Sequence, residues 1–206
     1  MTPTLALEQI MLSPQYAAVL AAVRASTPVA MLDQLDAAAT EATRAAVDAA
    51  ALAGGGVLTA SPPSAVPGWL RLGLLDALTR WTDGTAATCR HSPRPDRPEP
   101  VLAAAWRPGL VTCCLCTHLW RVGREANLTC DGCGRVCEPN SIHPAMAQLG
   151  GLIFMYGTCT GCRPAITPDN APLSATETAE QDHPRGTGRA RPRGHRGRGR
   201  GRGGRR

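Results

Sequence analysis

The 206-residue chain contains no lysine, and all 22 of its basic residues are arginine. Aromatic residues make up only 3% of it, as four Trp, two Tyr and one Phe. With so few large side chains beside 18 Pro and 22 Gly, much of the length cannot pack into a core. Long hydrophobic runs are missing too. Stretches such as Tyr16–Val23 and Leu149–Tyr156 extend over eight residues, well short of the ~20 that span a bilayer. No cationic side chain precedes Arg24, so the charged start of an export signal is lacking. These absences predict a cytoplasmic protein with no membrane partner.

The formal charge of +6 divides unevenly along the chain. Residues 1–184 carry twelve Arg against sixteen Asp and Glu, a body of −4, whereas residues 185–206 carry ten Arg and no acid. A uniformly basic protein is excluded; an acidic body with a cationic tail is expected.

Residues 1–53 read as an Ala-rich helical region. Ser13-Pro14 and Thr27-Pro28 are helix-start pairs. Tyr16, Val19, Leu20 and Val23 recur at helical spacing, and Val29, Leu32, Leu35, Ala39, Ala42, Ala46, Ala49 and Leu52 line one face of a longer helix. That stripe is thin, so the helix is expected to lean on its neighbour or on a protein partner. Residues 54–67 read as a linker and 68–84 as an amphipathic helix built on Trp69, Leu70, Leu74, Leu75, Leu78 and Trp81. Residues 85–104 read as a Pro-rich linker, with four prolines between positions 91 and 100.

Eight of the nine cysteines lie between positions 113 and 162. In a reducing compartment they are expected to be metal ligands rather than disulfides. Three C-x-x-C pairs stand out: Cys113/Cys116, Cys130/Cys133 and Cys159/Cys162. A tight turn at that spacing brings two sulfurs within reach of one Zn2+ at ~2.3 Å in tetrahedral geometry. Cys130-Asp131-Gly132-Cys133-Gly134 is the strongest such knuckle, because glycine lets backbone amides point at the thiolates.

Spacing leaves the pairing open. The first two pairs could form a four-cysteine site, with Cys137 and His143 completing a second around Cys159 and Cys162. Alternatively Cys130 and Cys133 join Cys159 and Cys162 across the strand-like run Leu152–Tyr156, or the pairs are cross-braced. Cys114 is not expected to ligate, since adjacent cysteines seldom reach one ion. Cys89 and His91, isolated in the Pro-rich segment, either join a site or stand as a free thiol and a solvated loop residue. His118 is expected on a hairpin, Arg121 and Arg124 beside its turn, and Glu125 and Glu138 in solvent. No H-E-x-x-H or paired H-x-E and P-C-x-x-C is present, so the metal is expected to be structural and the protein no enzyme.

His118, Trp120 and Val122 alternate with Leu119 and Arg121, and Asn127–Thr129 forms a second extended stretch, a β-hairpin pattern between two C-x-x-C turns. Over about residues 110–163 this layout resembles the zinc-ribbon and zinc-knuckle class, which implies Zn2+ but no particular function. The order C-x-x-C, C-D-G-C-G, L-G-G-L-I-F-M-Y-G-T-C-T-G-C also resembles uncharacterised small proteins of actinobacterial phages and plasmids. The expected fold is α+β: a helical N-terminal region, a small zinc-ribbon-like β module over residues 105–164 that unfolds without metal, and a disordered C-terminal tail.

Residues 165–184 read as a disordered polar spacer. The final segment holds eight Gly among Arg185, Arg189, Arg191, Arg193, Arg196, Arg198, Arg200, Arg202, Arg205 and Arg206. It resembles the RG-rich tails of RNA- and single-strand-binding proteins, without their aromatic residues. Guanidinium groups on a pliant backbone suit phosphates and base faces. The expected function is therefore nucleic-acid binding through the tail, of low sequence specificity, with the zinc module as scaffold. The alternatives are a protein-interaction adaptor acting through the Ala-rich helices and a thiol-redox or Fe–S protein.

Overall fold

The computed structural model describes residues 2–53, 56–58, 62–121 and 123–163. The spacer and the Arg/Gly tail lie outside them. Helix α1 (Pro3–Leu12) opens on Thr2, whose Oγ1 accepts the Leu5 N–H at 3.4 Å, with Pro3 in the first turn. Helix α2 (Tyr16–Ser26) and the long α3 (Val29–Ala53) follow. Ser13 does not cap α2: it stands at the end of α1, and Gln15 precedes the helix.

Next come β1 (Gly56–Leu58), α4 (Gly68–Thr82), β2 (Ala87–Thr88), β3 (Val101–Ala104) and β4 (Leu110–Cys113). The chain continues through α5 (Arg124–Asn127) to the hairpin β5 (Ile142–Leu149) and β6 (Leu152–Cys159), which turns at Gly150-Gly151. The six strands form one mixed sheet in the order β1-β5-β6-β3-β4-β2, so the fold is α+β. β3 runs parallel to β6 and antiparallel to β4. Among the described residues no helix is long and apolar enough to cross a membrane.

Alternation along the strands divides the core between two helices. On one face Val101, Ala103, Leu152, Phe154 and Tyr156 pack with Leu70, Leu74 and Ala77 of α4. On the other, Leu102, Ala104 and Ile153 pack with Ala42 and Ala46 of α3, joined by Trp120. Period-two patterning with both faces apolar is what a doubly covered strand requires. The buried stripe of α3 is Ala38, Ala42, Ala46 and Ala50, whereas Val29, Leu35 and Leu52 are exposed. The apolar face read from the sequence is thus corrected by one position at 39 and 49. Small alanines are what let α3 lie close on the sheet. Gly73 does the same for α4: a Cβ there would fall 2.8 Å from Phe154 Cζ.

Three further expectations are corrected. The segment 85–104 is not a linker throughout, because Val101–Ala104 is a fully buried strand at the middle of the sheet. Its prolines occupy a loop that folds back, where Trp81 Nε1 donates to the Pro93 carbonyl at 3.0 Å. The segment 54–67 contributes β1 to a sheet edge. Between the first two C-x-x-C pairs there is no hairpin among the described residues. Cys114–Trp120 forms two short 3-10 turns that meet at a kink at Cys116, and Arg124–Asn127 a single α turn. The Trp120 indole explains this: it is buried and donates to Thr112 Oγ1 at 3.0 Å, while the Trp120 carbonyl accepts from Trp106 Nε1 at 3.2 Å. Burying Trp120 against α3 outweighs the local alternation.

Two candidate metal centres

The first centre is assembled by a two-residue pairing at the edge of the sheet. β2 lies parallel to β4 with Thr88 beside Val111, so the chain leaving β2 delivers Cys89 against the end of β4. Cys89 Sγ stands 3.8 Å from Cys113 Sγ. A turn in which Ser92 N–H donates to the Cys89 carbonyl, with Ser92 at φ 47°, then swings His91 inward. His91 Nδ1 lies 3.2 Å from Cys116 Sγ and 3.4 Å from Cys113 Sγ. The four ligand atoms lie within 4.8 Å of one another. The three cysteines are buried, with Leu119 packed against them, and the His91 ring closes the group on its solvent side.

The second centre joins a knuckle to a strand end. Gly134 N–H donates to the Cys130 carbonyl at 2.7 Å, and Gly134 takes φ 72°, a conformation that favours glycine. The knuckle docks on β6 in strand-like fashion: Asp131 N–H donates to the Gly157 carbonyl at 2.8 Å, and Gly157 N–H to Asp131 Oδ2 at 2.6 Å. This brings Cys130 and Cys133 to Cys159 and Cys162, with Cys133 Sγ 4.0 Å from Cys159 Sγ. Cys159 N–H donates to Cys130 Sγ at 3.2 Å, an amide aimed at a sulfur.

These edges suit a zinc ion. Tetrahedral bonds of ~2.3 Å to sulfur and ~2.0 Å to nitrogen require S···S separations of ~3.8 Å and N···S separations of ~3.5 Å. Both groups offer four N/S donors, the number and kind that structural zinc sites use.

Electrostatics points the same way. At Cys89 burial opposes ionisation, but hydrogen bonds from Cys113 and His91 outweigh it and take the thiol down to about 7. Cys116 in the same group is held up at about 11 by burial and then by its sulfur neighbours. In the second group the Arg135 amide, followed by Cys130, lowers Cys133 to about 6, whereas Cys162 is raised to about 12, chiefly by Cys159 and burial. Crowded thiols release their first protons readily and hold their last. A divalent cation removes that conflict, because it stabilises every thiolate at once. Arg135 adds positive charge beside Cys133.

All six C-x-x-C cysteines therefore lie in clusters, but Cys113/Cys116 and Cys130/Cys133 occupy separate ones. The partners of the first pair are Cys89 and His91. Cys137 and His143 complete neither group. Cys137 Sγ donates to the Arg135 carbonyl at 3.5 Å; burial raises its pKa, and the thiolates of Cys159, Cys130 and Cys133 raise it further. His143 Nε2 pairs with Thr160 Oγ1 at 3.2 Å. Cys114 Sγ turns away to the Pro100 carbonyl, and His118 belongs to neither group. A usable signal for Cys89 and His91 did exist. Cys89 precedes Cys113 by 24 positions, much as Cys133 precedes Cys159 by 26, and in both cases the later cysteine ends a strand.

Those strands flank β3 and run in opposite directions. Val101 pairs with Cys113 on one side and Leu152 on the other. Cys159 lies seven residues beyond Leu152, ~23 Å along the strand at ~3.3 Å per residue. The two clusters therefore stand at opposite ends of the sheet. The arginines of residues 185–206 lie outside the described residues. Comparison of the chain with protein-family models, curated proteins and solved structures yields no match.

Proposed function

We propose that this is a non-enzymatic zinc protein with one site of three cysteines and a histidine and one site of four cysteines, both structural, and that its Arg/Gly tail binds nucleic acid. The convergence of two complete sets of four N/S donors at opposite ends of one small sheet carries the metal reading. Neither set leaves an open position, and Glu125 and Glu138 are exposed, which favours a scaffold over a catalytic zinc. The tail reading rests on sequence: ten Arg and eight Gly in 22 positions, on a body of opposite charge.

Elemental analysis of protein purified without added metal is expected to find two zinc per chain and a colourless solution. Iron with visible absorbance would select the Fe–S reading. For the tail, fluorescence anisotropy with single-stranded oligonucleotides is expected to show a log–log salt slope of about −3.5 if five phosphates are neutralised. Removing residues 185–206 should abolish most of the affinity. Unchanged affinity after that deletion would leave the adaptor reading, which the exposed apolar helices favour.

A further inference from the structure

The two centres share a donor chemistry but not an environment. In the first, Cys89, Cys113 and Cys116 keep only 4, 8 and 3% of their surface open, and Leu119 packs against them. Its one exposed member, His91, carries no sulfur. In the second, Cys130 is fully buried, Cys159 and Cys162 are half-buried, and Cys133 is exposed. Exposure and thiolate character decide which cysteines are oxidised, and a metal-ligating sulfur is a thiolate. Cys133 is therefore the ligand that an oxidant in solution meets first. Two further observations concern the same residue. Its Sγ lies 4.0 Å from Cys159 Sγ, which belongs to a different segment of the chain. The Arg135 guanidinium hydrogen-bonds the Cys133 sulfur and also feels the charge of Cys159 and Cys162. A forked cation at that place can hold an incoming oxygen and the anion that departs from it.

We propose that Cys133 and Cys159 are an oxidation site for hydroperoxides, assisted by Arg135, and that their disulfide empties the four-cysteine centre while the other centre keeps its ion. The inference rests on the zinc reading given above. In the first step the Cys133 thiolate attacks a peroxide oxygen: an S–O bond forms, the O–O bond breaks and hydroxide leaves. The sulfur has then given up two electrons to the peroxide, as a sulfenic acid. In the second step the Cys159 thiolate attacks that sulfur: the S–S bond forms, the S–O bond breaks and a second hydroxide leaves. Solvent protons convert both hydroxides to water. Only Cys130 and Cys162 are left as donors, half of a tetrahedral set. Other thiols are less well placed to resolve the sulfenic acid. Cys137 Sγ is turned to the Arg135 carbonyl at 3.5 Å. Cys130 is buried at the foot of the knuckle, its sulfur accepting the Cys159 N–H at 3.2 Å. The knuckle and the end of β6 thereby exchange a four-way grip for one covalent bond.

The test treats the full chain with hydrogen peroxide beside a chromogenic zinc chelator and maps disulfides by mass spectrometry of unreduced digests. Untreated protein must first carry two zinc per chain; fewer would overturn the zinc reading and this inference with it. Peroxide is then expected to release one zinc of the two as a Cys133–Cys159 disulfide appears. Dithiothreitol with added zinc should restore the lost equivalent. Cys89→Ser, which lacks the first ion, should release its remaining ion at the parent rate. Cys130→Ser, which lacks the second, should release none over the same time. Arg135→Gln should load two zinc and slow the release roughly two- to fivefold, the worth of one exposed charge pair. With two zinc loaded, the proposal is overturned if both ions stay, if both leave together, or if the disulfide joins another pair. Release from Arg135→Gln at the parent rate would overturn the part given to Arg135.

Discussion

Cys89 Sγ meets Cys113 Sγ at 3.8 Å because a two-residue parallel strand, Ala87–Thr88, runs beside β4. Neither cysteine alone indicates a metal; the strand pairing makes them neighbours. Replacing Cys89 with Ser, or His91 with Ala, is expected to remove one zinc of two. Cys130→Ser should remove the other, and the double variant both. Metal counted by elemental analysis and intact mass under native conditions reads each result.

Cys137→Ser and His143→Ala are expected to retain the full metal load, since neither side chain stands in a group of four. A lost equivalent in either variant would return these residues to the ligand set and displace Cys89 or His91.

Gly73→Ala should destabilise the body by about 1–3 kcal/mol, the usual cost of overpacking. The added methyl would meet the ring of Phe154, a β6 residue fixed in the core shared with α4. Denaturant midpoints measure it. Combining Gly73→Ala with Phe154→Leu should give less than the sum of the two single costs, because the smaller side chain leaves the methyl room.

The Glu8–Arg71 pair joins α1 to α4 at 2.8 Å, with the side chains only 16% and 12% exposed. Arg71 also donates to the carbonyls of Pro63 and Val66. Arg71→Met leaves a carboxylate and two carbonyls without a donor and should cost about 3 kcal/mol. Glu8→Gln keeps an acceptor and should cost about 1 kcal/mol. Equal costs in thermal or chemical unfolding would show that the carbonyl contacts add nothing.

Asp131 supplies a pH dependence. Burial raises its pKa above the ordinary carboxylate value, against the opposing Gly157 N–H. The folded chain thus holds this proton more tightly than the unfolded one. Its contribution is fully present below the unfolded pKa and is lost as pH rises through the folded pKa. Asp131→Asn keeps an oxygen for Gly157 without the charge, so it should flatten stability against pH just above the normal carboxylate range. An unaltered profile by chemical unfolding would refute this.

The sequence makes some elements legible and hides others, for identifiable reasons. The apolar spacing of Leu70, Leu74 and Leu75 marks α4, and all three are buried, joined by Ala77. The run Leu152–Tyr156 reads as a strand because it is apolar without helical period. By contrast, Val101–Ala104 is four residues hidden behind prolines, and its assignment depends on distant neighbours, Leu152 to Met155. The alternation from His118 onward suggests a strand, but the tertiary burial of Trp120 overrides it. The C-x-x-C pairs announce metal, but which pairs share an ion is decided by strand direction, about which the spacing inside a pair says nothing; only the longer intervals, 24 positions from Cys89 to Cys113 and 26 from Cys133 to Cys159, carry a trace of it.

With β4 and β6 running oppositely about β3, the two clusters stand at both extremities of the sheet rather than along one margin, so ions bound there would rivet it at each end. Stripping a single ion should fray only the nearer extremity, and hydrogen exchange should show protection vanishing there first while the far extremity stays closed. A protein built this way can register a partial shortage of metal as a half-opened body.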